Sequence, residues 1–216
     1  MARVGLRLQL RKAQAEAGDI VLLYADESEA LTHPYLAHAW ARRGADLRVP
    51  APGQTKKVAT MGALDWAKRK LIVATSRTKR SADFIALLEA LDRSHGPKPG
   101  KTKPAVIVLD NGPIHTSKAA LADLAARSHW LVVEWLPKYA PELNEIENVW
   151  RDLKTNHLAH QTFTDADVIK PMPAAPGVAY PLPIDAVGRC PLEDSGGPPG
   201  YMDLIEALHD PSHPRH

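Results

Sequence analysis

Cysteine is almost missing: Cys190 is the one cysteine in 216 residues. It has no internal partner for a disulfide, and it cannot build a cysteine zinc cluster. A reducing cytoplasm suits such a chain. No apolar run approaches the ~18 residues of a membrane-spanning helix, so no membrane partner is expected. Residues 1–18, MARVGLRLQLRKAQAEAG, lack the unbroken apolar stretch of a secretory signal. There is no G-x-S-x-G, no Walker-type glycine loop and no Cys/His pairing, so no competing nucleophile presents itself. What remains is 44% hydrophobic and 24% charged, ordinary for a globular protein.

Charge is divided unevenly. Residues 1–163 hold 24 Lys/Arg against 17 Asp/Glu, a net of +7, whereas residues 164–216 hold 3 against 8, a net of −5. The same last stretch holds 10 of the 19 prolines. Two composition regimes predict two units, 1–163 and 164–216. A basic unit suits a polyanionic partner, although a solvated basic surface would look the same.

Hydrophobic patterning predicts the order of elements. IVLLYA (20–25) reads as a buried strand ending at Asp26, and residues 27–56 as irregular, with a helical patch around 34–42. KKVATMGALDW (56–66) and KLIVATS (70–76) form a hairpin turning at Lys68-Arg69. Ser81 caps a helix burying Phe84, Leu87, Leu88 and Leu91. AVIVL (105–109) is a strand ending at Asp110. Residues 117–128 form a helix with Leu121, Leu124 and Ala125 inward. LVVEWL (131–136) is a strand, and 145–155 a helix burying Ile146, Val149, Trp150 and Leu153. The tryptophans, Trp40, Trp66, Trp130, Trp135 and Trp150, read as core. This order calls for an α/β domain, a mixed sheet flanked by helices.

Three acids stand out: Asp26, Asp110 and Glu147. Each has an ordinary structural explanation. Asp26 can simply end a strand. Asp110-Asn111-Gly112 is a turn sequence. Asn144-x-x-Glu147 reads as a capping box. Together, however, two strand-end acids and one helical acid can converge at one edge of a sheet. Converging carboxylates repel, and divalent cations relieve that repulsion. Mg²⁺ and Mn²⁺ favour such hard oxygen ligands. Two ions about 4 Å apart can activate a water or 3′-hydroxyl and stabilise the leaving oxygen at phosphorus.

The motifs LLYADES, HAWARRG, KKVATMGALDW, SADFIALLEAL, VIVLDNGPIHTS and WLPKYAPELNEIENVWRDLK resemble the catalytic domain of bacterial transposases of the insertion-sequence-630 type, within the mariner superfamily. The resemblance covers residues of about 20–163. It implies a ribonuclease-H-like fold and a DDE-type transposase or endonuclease that cleaves DNA phosphodiesters and transfers strands. It also implies that Asp26, Asp110 and Glu147 are the catalytic, metal-binding triad for two Mg²⁺ or Mn²⁺ ions. The 36 residues between Asp110 and Glu147 match the family spacing. Glu145 lies about 200° around the helix from Glu147 and stands where the family usually has proline. Ala140 replaces a common serine. His115 matches the family's histidine, either near a phosphate or attacking water or packed behind the loop. Asn111 is placed to orient Asp110 or a water. Arg151 and Lys154 face either DNA phosphate or solvent.

The resemblance further implies DNA as partner, both transposon ends and target, with a homodimer and a cytoplasmic, nucleoid-associated location. Only about 19 residues precede the first strand, so helix-turn-helix modules for end recognition are expected on a separately encoded half. Competing readings are a non-catalytic relic with nonspecific DNA binding, and a ribonuclease-H-like nuclease for other nucleic acids. Residues 179–216, with G-R-C-P-L-E-D-S-GGPPGY, resemble the end of the Ri-plasmid open-reading-frame-three-like family. That tail is expected to be irregular apart from one short helix over 201–208.

Overall fold

The computed structural model describes residues 2–36, 46, 48–51, 53–98 and 103–164. The helical patch beyond residue 36, Trp40 and the tail beyond residue 164 with its expected helix lie outside the described residues. The elements below belong to one compact unit, Met1–Ala37 with Arg48–Pro181.

Five strands form a mixed sheet in the order β3-β2-β1-β4-β5. They are β1 (Val21–Leu31), β2 (Lys57–Asp65), β3 (Lys70–Ser76), β4 (Ala105–Leu109) and β5 (Leu131–Trp135). β2 runs antiparallel to both β1 and β3, whereas β4 is parallel to β1 and β5. The helices are α1 (Ala2–Glu16), α2 (Ser81–His95), α3 (Pro113–Thr116), α4 (Lys118–Ala126) and α5 (Ile146–Asp152). This is the expected mixed sheet flanked by helices.

Strand alternation divides the core into two layers. Leu23, Ala25, Ile107 and Leu109 face α2 and α4, packing with Phe84, Leu87, Leu88 and Leu91. Leu22, Tyr24, Val106 and Val108 face the other way, with Leu8 and Ala15 of α1 and Ile146, Val149 and Trp150 of α5. Burying each such large side chain stabilises by about 1.5–3 kcal/mol.

Several expectations need correction. β1 does not end at Asp26; it continues to Leu31 because β2 pairs with it along residues 23–31. The hairpin partner thus holds extended a stretch read as irregular. α1 was not legible as a helix: Leu8 and Ala15 are its buried positions, among four cations. The cap of α2 is Arg80 rather than Ser81, and Asp83 completes it by accepting the Arg80 N–H at 2.8 Å. Leu121 and Ala125 of α4 are exposed, leaving Ala120 and Leu124 as its buried positions. The final helix changes to a π-turn, Leu153–His157, with Leu153 only partly buried.

Candidate active site

Register and parity bring two acids together. Tyr24 pairs with Val108 across the parallel β1–β4 ladder, so Asp26 and Asp110 lie two residues further on, side by side. Both share the parity of Leu22, Tyr24, Val106 and Val108, so they project to the face covered by α1 and α5. β4 ends there while β1 continues, which opens the sheet beside Asp26. α5 supplies Glu147, one turn before the buried Trp150. Trp150 can approach the sheet this closely because Gly62, the residue opposite Asp26, has no side chain: a Cβ there would sit 2.5 Å from the indole.

Asp26, Asp110 and Glu147 line one cavity of about 430 Å³, with Asn111, Gly112, Lys138, Tyr139 and Asn144 among its other walls. Burial pushes the Asp26 carboxyl up to about 8; the charges of Glu27, Glu147 and Asp110 add to the rise, and the Glu27 backbone N–H opposes it. Asp110 behaves oppositely. A hydrogen bond from His115 holds it below the ordinary carboxylate value, against burial, with the Gly112 N–H also helping.

Asp110-Asn111-Gly112 is indeed a turn, and the turn is part of the site. Asp110 Oδ1 accepts the Gly112 N–H at 2.9 Å. A Cβ at Gly112 would lie 3.0 Å from that oxygen, so glycine lets the carboxylate fold back over the backbone. Asn111, expected to orient Asp110 or a water, donates its Nδ2 hydrogen to the Leu136 carbonyl at 2.5 Å, tying the end of β4 to the end of β5. His115 is 1% exposed and packs edge-on to Phe84, with Nδ1 2.6 Å from Asp110 Oδ1. It therefore sits behind the loop rather than facing a phosphate. Arg151 is exposed and donates to Asn148, and neither it nor Lys154 lines the cavity.

The capping box at Asn144 is not formed. Glu145 occupies the cap position and its carboxylate pairs with Lys12 of α1, which accounts for an acid at that point. Asn144 instead is buried and reaches β1, its Nδ2 donating to the Ala25 carbonyl at 3.3 Å. Sequence reasoning spent Asn144 on a local cap and so missed it as a wall of the site. Its Oδ1 is buried with no hydrogen bond among the described residues. Lys138 and Tyr139 were also missed; Tyr139 is 94% exposed with φ +58° at the cavity rim.

The donors in this cavity are carboxylate and amide oxygens, a set that suits a hard divalent cation. A carboxyl pushed up to about 8 by burial, and further by its neighbours' negative charge, is one that a cation would return to the ionised form. Among the described residues no three His, Cys, Asp or Glu side chains close on a single point. The three acids share the cavity at a wider spacing.

Comparison with known proteins bears on both parts of the chain. Residues 21–170 match the family model described as DDE superfamily endonuclease, and residues 165–216 match that of the plasmid pRiA4b ORF-3-like protein. The uncharacterized 39 kDa protein of insertion element IS630 from Shigella sonnei is 30% identical over 143 residues, 66% of this chain and 38% of that protein. Protein y4hQ of Sinorhizobium fredii is 52% identical over 42 residues, 19% of this chain and 22% of that protein. The chain thus spans well under half of these relatives. Among solved structures, the Mos1 transposase paired-end complex with left transposon end superposes with a TM-score of 0.55 at 18% identity, covering 77% of this chain and 49% of that one. The catalytic domain of Mos1 mariner transposase gives 0.51 at 17%, covering 77% and 75%. The Mos1 mariner paired-end complex with Mn gives 0.51 at 18%, covering 77% and 51%. These likenesses show the fold, a ribonuclease-H-like sheet. No helix among the described residues is long and apolar enough to cross a membrane.

Proposed function

The chain belongs to the DDE superfamily endonucleases, and from that premise we propose that Asp26, Asp110 and Glu147 hold two Mg²⁺ or Mn²⁺ ions for cleavage and strand transfer at DNA phosphodiesters in transposition. The observation that carries this reading is the single cavity lined by all three acids, one of them held at about 8 by burial and like charge. Bound there, the ions would supply Lewis-acid activation of the attacking hydroxyl and neutralise charge at the leaving oxygen. Asp26 and Asp110 approach from adjacent strand positions and Glu147 from α5. Asn144 braces β1 against the loop before α5, and Asn111 braces the loop after β4.

DNA is the partner this reading requires, and a left transposon end is what the structurally similar Mos1 transposase paired-end complex holds. The net +7 of residues 1–163 supplies sequence-independent affinity for phosphate, steep in salt. Residues 164–216 are proposed as a separate unit taking no part in the chemistry. The homodimer and a separately encoded end-recognition half belong to the same proposal.

Thermal melts with Mn²⁺ or Mg²⁺ and a plasmid-nicking assay test it. A hundredfold excess of ion over Kd should stabilise the fold by about 2.7 kcal/mol. Asp110→Asn should remove that gain and the nicking together. Equal stabilisation of wild type and Asp110→Asn would overturn the site. Metal binding without nicking on any DNA would leave a binding relic in place of the enzyme.

A further inference from the structure

α1 lies outside the residues 21–170 that match the family model, yet it is built into the domain. Its Leu8 and Ala15 are buried in the same core as Ile146, Val149 and Trp150 of α5. Two ion pairs fasten it. Arg7 reaches Glu134 of β5 at 2.5 Å, and Lys12 pairs with Glu145 at the start of α5. The Lys12 ammonium also sits 4.3 Å from the centre of the Trp66 ring, so an aromatic face just past β2 fixes where that charge lies. α5 needs such a hold. It has seven residues, and a helix that short is marginal by itself. Its cap residue, Glu145, makes no side-chain cap bond to it.

We propose that Lys12 is a positioning residue for Glu147, acting through Glu145. The inference rests on the reading of Glu147 as a metal ligand. Ile146 and Trp150 press α5 onto the sheet, but apolar packing is non-directional and leaves a two-turn helix free to rotate or slide. The ion pair at its first turn removes that freedom. Glu145 and Glu147 lie about 200° apart around the helix, so one holds α1 while the other lines the acid cavity. Trp66 thus anchors Lys12, Lys12 anchors Glu145, and Glu147 follows two residues on. α1 serves the site without being one of its walls.

Mn²⁺ titration and amide exchange on the full chain test this. Lys12→Met keeps a straight stem over Trp66 and removes the charge. It should weaken Mn²⁺ binding about tenfold, the lower end for groups that orient a metal ligand. Charge alone predicts the opposite sign, since losing a nearby cation favours a bound cation. Lys12→Arg should restore most of the affinity. In a Glu147→Gln background, Lys12→Met should cost nothing further, whereas a general packing defect would add its loss there too. Without metal, the amides of 146–150 should exchange several-fold faster in Lys12→Met while those of α2 stay as in wild type. Glu145→Gln should speed the same amides, with no further change in the double variant. Unchanged or tighter Mn²⁺ binding in Lys12→Met, or a full loss in the Glu147→Gln background, overturns the positioning role and leaves the metal site standing. If wild type binds no Mn²⁺, the metal reading fails and the role toward Glu147 fails with it. The exchange rates then show separately whether Lys12 holds α5.

Discussion

Two carboxylates on neighbouring strands, one buried and one half-buried, meet opposite fates. Asp65, at the end of β2, is 1% exposed. Burial would raise its pKa, but hydrogen bonds from His95 and the Lys68 backbone N–H, together with the Lys68 charge, outweigh it and hold the group low. Its Oδ2 lies 2.9 Å from His95 Nε2 and 3.2 Å from Lys68 Nζ. Asp26 on β1 has no ion pair with a cation among the described residues and meets three further acids instead, Glu27, Glu147 and Asp110. The fold completes Asp65 with its own groups and leaves Asp26 incomplete. Incompleteness of this kind costs stability, and it persists where a ligand supplies what the chain does not. That contrast separates a structural acid from a candidate catalytic one better than residue type does, since both are strand-borne aspartates near a histidine-bearing element.

Breaking the completed pair should have the largest effect. Asp65→Ala strips the partner from a buried His95 and one partner from Lys68, at a cost of about 3 kcal/mol in urea unfolding at pH 7. A cost under about 1 kcal/mol would mean that the pair is no more than a surface contact. The wild-type contribution has an acid-side window: the folded pKa of Asp65 is lowered, so its stabilisation is present above the unfolded value near 4 and fades as pH falls below it.

Asp26 should show the opposite sign. Its folded pKa of about 8 lies above the unfolded value. The neutral carboxyl therefore suits the fold at low pH, and stability drains away as pH rises from about 4 through 8. Without divalent cation, Asp26→Asn should gain about 2 kcal/mol at pH 8 and nothing at pH 4, read from parallel denaturation curves. Destabilisation by Asp26→Asn at pH 8 would show that the site is completed by the protein after all.

The sheet was largely legible because each strand holds a short apolar run; β4 matches residue for residue over 105–109. α1 was not, since Leu8 and Ala15 are seven residues apart among arginines and make a thin stripe. The extension of β1 past Asp26 depends on pairing with β2, a non-local fact that local pattern does not carry. The acids were legible as a set through motif spacing, and strand parity then places two of them on one face. Asn144 and Lys12 were hidden for different reasons. Asn144 has a plausible local use as a cap that the structure declines in favour of a bond to Ala25. Lys12 looks like one more cation of a basic terminus until α1 brings it against Glu145 and over Trp66.

The smallest effect sharpens the comparison by touching only one side of it. Gly62 is the cross-strand neighbour of Asp26, and an added Cβ would meet the Trp150 ring at 2.5–2.6 Å and the Ile146 side chain at 3.2 Å. Both groups belong to α5, so Gly62→Ala must displace the helix that carries Glu147. Overpacking of this kind costs about 1–2 kcal/mol when a neighbour can shift slightly. Asp65 lies three residues further along β2 on the opposite sheet face, bound to α2, and is not involved. Gly62→Ala should therefore shift the fluorescence of Trp150, resolved against a Trp150→Phe control, and weaken Mn²⁺ binding through the displaced Glu147. The acid-side loss of stability assigned to Asp65 should stay where it was. If instead Gly62→Ala moved that acid limb and left metal binding alone, the site would be coupled to the hairpin and not to α5, and Glu147 would lose its claim to the third position.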